Sequence, residues 1–84
     1  MKTNAPHAQL CRALGSALKQ TRQAHPISLA DLSAASGVAM SCISVIERGQ
    51  SNPTIDTLYR LCVAMQTTPA TLLRFAEQLQ EPAH

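Results

Sequence analysis

Two short apolar-patterned segments, each closed by a glycine, constrain this chain more than any other feature. Ser28 stands at an N-cap position, and Asp31 three residues on is a carboxylate suited to the free amides and positive end of a helix over about Leu29 to Ser36. Gly37 then supplies a left-handed cap that turns the chain sharply. After Gly37-Val38-Ala39, a second short helix runs about Met40 to Arg48 and stops at Gly49.

The flanking sequence supplies the packing partners. Leu10, Leu14 and Leu18 recur every four residues with Ala13, Ala17 and Thr21 beside them, which predicts an amphipathic helix from about His7 to Ala24. His25-Pro26 ends it, because proline disfavours the helical region for the residue before it. Beyond the polar Gln50-Ser51-Asn52-Pro53 loop, Thr54 caps a fourth helix with the stripe Ile55, Leu58, Leu61, Cys62 and Met65. Thr68-Pro69 opens a fifth that carries Leu72, Leu73, Phe75, Ala76 and Leu79. The expected fold is all-α, five helices in a single domain over 1–84, with a helix-turn-helix at about 28–48 and frayed ends at 1–6 and 81–84. With 84 residues the core is small, and 45% apolar against 14% charged residues suits a compact domain.

Several functions are excluded by what is missing. His7, His25 and His84 are scattered, the carboxylates Asp31, Glu47, Asp56, Glu77 and Glu81 have capping, pairing or surface roles, and no nucleophile motif, phosphate loop or metal spacing occurs. The chain therefore reads as a non-enzyme with no cofactor, no metal and no small-molecule ligand. Cys11, Cys42 and Cys62 lie far apart and read as small core residues of a reducing, cytoplasmic compartment. No apolar run of about 18 residues suggests a membrane span. A net charge of +2 permits a nucleic-acid partner, and with Tyr59 and Phe75 as the only aromatics that partner is duplex DNA rather than a stacked single strand.

At 100° per residue, the second short helix turns Ala39, Ile43 and Ile46 inward, with Cys42 and Glu47 at the edges. Ser41, Ser44, Val45 and Arg48 point the other way, with Met40 on the flank. Taken alone, such serines are ordinary solvated positions. The ordered string is more specific: Ser28 to Gly49, with its Ile43-x-x-Ile46-Glu47-Arg48-Gly49 segment, followed by Asn52-Pro53-Thr54-Ile55-x-x-Leu58, closely resembles the Cro/repressor (XRE-like) helix-turn-helix family from about Leu10 to Leu73.

That resemblance implies a transcriptional regulator whose third helix enters the major groove. It assigns Met40, Ser41, Ser44 and Val45 to base contacts, and Ser28, Ala39, Arg48, Gln50, Ser51 and Asn52 to phosphates. It pairs Arg22 with Glu47 as a structural ion pair. The wide apolar face of helix 5 (Leu72, Leu73, Phe75, Ala76, Leu79) is read as a homodimer interface on a palindromic operator, so that Leu72→Asp or Phe75→Asp is expected to give monomers. Small stand-alone members of this kind resemble phage Cro-like repressors and restriction-modification controller proteins. The chain departs from the family pattern in three respects: Leu29 replaces an amide side chain, Ser33 replaces an alanine, and the reading face has no Arg, Asn or Gln before Arg48. The apolar Met40, Val45 and Leu29 also admit a second reading, a protein-binding antitoxin or adaptor with incidental DNA binding.

Overall fold

In a computed structural model, which describes residues 6–80, the chain forms α1 (Pro6–Ala24), α2 (Leu29–Ser36), α3 (Met40–Glu47), α4 (Ile55–Ala64) and α5 (Pro69–Gln80), with no strand among the described residues. The expected frayed ends lie outside the described residues, apart from Pro6, which opens α1. Three helix starts share one chemistry. The hydroxyls of Ser28, Thr54 and Thr68 accept from the amides of Asp31, Thr57 and Thr71 at 3.0–3.1 Å, which satisfies a donor that a helix start otherwise leaves unpaired. Gly37 closes α2 at φ 76°, where its amide donates to Ser33 O at 2.9 Å.

α5 lies along α1, α3 packs on α1, α2 bridges α3 and α4, and α4 meets α5. Their shared centre is Leu18, Leu32, Ile43, Ile46, Leu61, Cys62, Met65, Leu72 and Ala76, all nearly inaccessible. Burial pushes the Cys62 thiol up to about 11, so it stays protonated and inert near neutral pH. No single helix is long and apolar enough to cross a membrane.

Four sequence expectations need correction. Ile55 does not join the α4 stripe but is 79% exposed, because it sits in the first turn, beyond the edge of the buried face formed by Leu58, Leu61, Cys62 and Met65. Of the three cysteines only Cys62 is a core residue: Cys11 is half-buried and Cys42 exposed. Ala39 is exposed because it stands outside α3 as its N-cap rather than on its inner face. Leu72 and Ala76 are buried inside the protomer, where α5 covers α1, so they are core residues and not contacts with a second chain; Leu72→Asp would unfold the domain rather than split a dimer.

α4 ends with a strained residue. Gln66 takes φ 60°, in the left-handed region, with Gln66 N donating to Val63 O at 3.0 Å and Thr67 N to Cys62 O at 2.9 Å. These bonds define a Schellman motif whose pivot is normally glycine. Gln66→Gly relieves the Cβ strain at some cost in unfolded-chain entropy, and a net stabilisation of up to about 1 kcal/mol is expected in urea denaturation. A lower midpoint would contradict the assignment of strain.

Candidate nucleic-acid interface

The site begins with the turn between α2 and α3, which depends on more than the left-handed Gly37. The chain bends by 117° between α2 and α3. Two serines close the bend: Ser33 Oγ donates to Val38 O at 2.7 Å, and the buried Ser36 Oγ accepts from Val38 N at 3.1 Å. Ser33, a departure from the family pattern, thus replaces a methyl with a hydrogen bond across the turn. Val38 is itself buried, so the turn is anchored by its side chain as well as its backbone.

α3 is fixed from below. Arg22 Nε donates to Glu47 Oε2 at 2.7 Å, a terminal nitrogen to Oε1 at 3.1 Å, and the other to Ile27 O at 2.9 Å. The two side chains are 12% and 6% exposed, so the bidentate pair is largely desolvated and joins α1, the α1–α2 connection and α3 at one point. Gly15 permits the close approach of the helices: a Cβ there would collide with Ile46 O and lie 2.8 Å from Glu47 O. A single glycine inside a helical pattern, as at Gly15 in α1, is the sequence signal for this kind of contact.

What remains outside is the upper surface of α3. Met40 is 48% exposed, Ser41 and Arg48 are exposed, and Ser44 and Val45 are half-buried at its sides. Cys42, expected near the buried edge, is exposed on the same helix. Ala39 gives α3 no side-chain cap, so the first amides of α3 are presented without a local acceptor. Ser28 Oγ already caps Asp31 N. The turn after α3 pivots on Gly49 at φ 73°, with Gly49 N bonded to Ile46 O and Gln50 N to Val45 O. Gln50 is exposed and Ser51 half-buried, whereas Asn52 Oδ1 accepts from Cys11 Sγ and is thereby tied to α1. The electrostatics favour an anion: with Arg22 and Glu47 neutralising each other, α1 keeps Arg12 and Lys19 and has no carboxylate.

Removing either partner of the buried pair leaves an uncompensated charge. Arg22→Ala or Glu47→Ala is expected to cost about 3 kcal/mol in denaturant unfolding. A cost below about 1 kcal/mol, typical of exposed pairs, would show that α3 is held by packing alone.

Comparison with known proteins agrees with this geometry. A family model described as "Helix-turn-helix" (HTH_3) matches residues 18–72. The HTH-type transcriptional regulator SutR of Escherichia coli is 36% identical over 64 residues, which is 76% of this chain but only 36% of that protein, so the chain spans about a third of this curated relative. Among solved structures, the clp gene regulator ClgR from Corynebacterium glutamicum superimposes with TM-score 0.81 at 31% identity, covering 84% of this chain and 76% of that one. The restriction-modification controller protein C.AhdI from Aeromonas hydrophila gives TM-score 0.72 at 29% identity, covering 74% and 94%. The chain belongs to the Cro/repressor-like (HTH_3) helix-turn-helix family of transcriptional regulators.

Proposed function

We propose that this protein is a cytoplasmic, non-catalytic regulator that binds a palindromic duplex operator as a homodimer. The observation that carries the reading is α3 itself, pinned beneath by the Arg22–Glu47 pair and open above at Met40, Ser41 and Arg48. A helix so held fits the major groove, where each base pair shows a distinct pattern of donors and acceptors. Met40, Ser41, Ser44 and Val45 form the base-facing surface, with methyl and hydroxyl contacts and DNA shape in place of bidentate pairs. The amino end of α2 at Ser28, Ala39 with the uncapped amides of α3, Arg48, Gln50, Ser51 and Asn52 form the phosphate-facing rim.

Dimerisation draws on apolar side chains that the protomer leaves accessible. On α4 these are Ile55, Tyr59 and Val63, at 79%, 58% and 54% exposure and spaced four residues apart along one face. On α5 they are the half-buried Leu73 and Phe75 and the 41% exposed Leu79. A contact of this kind is isologous and sets two α3 helices about one turn of duplex, roughly 34 Å, apart. The similarity to C.AhdI supports a controller-like role.

Selection from random duplexes tests the function. The expected result is an enriched inverted repeat with half-sites about ten base pairs apart and affinity that falls steeply with salt. No enrichment, with binding near the nonspecific level of roughly 10⁻⁴ to 10⁻⁶ M, contradicts it and favours a protein partner on the apolar α3 face. For the dimer, Tyr59→Asp or Leu79→Asp is expected to give folded monomers in sedimentation; an unchanged dimer in both variants would remove α4 and α5 as the interface.

A further inference from the structure

The phosphate-facing residues proposed above lie on the amino end of α2, the start and end of α3 and the turn after it, with none on α1. The geometry points to Arg12 on α1 as a further phosphate-contacting residue, which extends the backbone-binding surface from the α3–α4 turn onto the first helix. This inference rests on the duplex-binding reading above.

Three contacts put Arg12 beside that turn. A Cβ on Gly49 would lie 2.8 Å from the Arg12 Cα and 2.9 Å from its Cγ, so the aliphatic stem of Arg12 lies flat on the turn's pivot. The neighbouring Cys11 Sγ donates to Asn52 Oδ1, two residues past Gln50 in the same turn. One helical turn further on, Gly15 sits against Ile46 O and Glu47 O. The stretch from Cys11 to Gly15 is therefore docked along the whole C-terminal end of α3 and the turn that follows it.

Charge completes the argument. Arg12 is exposed, and the ion pairs among the described residues are Arg22–Glu47 and Arg60–Asp56, neither of which involves it. Arg12, Gly15, Lys19 and Arg22 fall on one side of α1, whose sequence has no carboxylate. An arginine whose stem is packed while its head stays in water keeps its planar fork available, and that fork matches a phosphate's oxygens. With Arg48 at the near end of the turn and the stem of Arg12 against Gly49, the turn lies between two exposed arginines. A phosphate approaching Gln50 and Ser51 from solvent would meet both.

The test is fluorescence-anisotropy binding of the full chain to a selected duplex and to a scrambled duplex of equal length, over a range of salt concentrations. The proteins are wild type, Arg12→Gln, Arg12→Lys and, as a control for loss of one charge elsewhere, Arg74→Gln on α5. Arg12→Gln is expected to weaken binding to both duplexes by the same factor, roughly fivefold to tenfold near 0.1 M salt, and to reduce the slope of log K against log salt by about 0.9. Arg12→Lys should restore most of the slope, and Arg74→Gln should leave it unchanged. If Arg12→Gln behaves like Arg74→Gln while the wild type keeps its steep slope, Arg12 is only a solvated surface residue and the inference fails while the DNA reading stands. If the wild type itself shows neither a salt slope nor a preference for the selected duplex, the DNA reading fails and takes this inference with it.

Discussion

The bidentate contact between Arg22 and Glu47 is the interaction on which the rest of the structure depends. A helix as short as α3 has few turns with which to bury itself, and an isolated helix below about 12–15 residues is marginal in water. The pair supplies what length cannot: it couples the end of α1 to the end of α3, and the third arginine contact, to Ile27 O, fixes the connection into α2. A buried pair is costly to desolvate, so its value is in specifying one arrangement as much as in stability. Here the specified quantity is the height and tilt of α3.

Close backbone approach completes the frame. Gly15 lets α1 sit directly against the last carbonyls of α3, and Gly49 lets the turn fold back onto Arg12. Ser33 and Ser36 then hold the bend between α2 and α3 through the two polar groups of Val38. Each device is small, but all constrain α3 from a different side. Ile43 and Ile46, both almost inaccessible, decide which side of α3 is buried, and the polar contacts tie its two ends to α1 and α2.

The parts of this fold legible in the sequence are those decided by local chemistry. Ser28, Thr54 and Thr68 announce their helices because a hydroxyl followed by a helical period has few other uses, and Gly37 announces the turn because a left-handed residue favours glycine. The parts that were not legible depend on what lies across the core. Periodicity shows that α4 and α5 have apolar faces but not how wide a strip their neighbours cover, so Ile55 was expected inside and is out, while Leu72 and Ala76 were expected at a subunit contact and lie within. The Arg22–Glu47 pair was readable through the family pattern, whereas the Ser33 contact, the exposure of Cys42 and the docking of Cys11 and Arg12 on the turn needed the three-dimensional arrangement.

α1, α2 and α3 form a frame that leaves one side of the short α3 in solvent, and α4 and α5 fill the core and carry exposed apolar side chains. The central claim is that the outer side of α3, its two flanking turns and the amino end of α2 form the nucleic-acid surface. The most direct measurement is an amide chemical-shift titration of isotopically labelled protein with a selected operator duplex. The account predicts the largest changes at Ser28 and Leu29, from Ala39 to Val45, and from Arg48 to Asn52, with the outer side of α5 around Arg74 little affected. Changes concentrated on α5, or absent from α3, would contradict it.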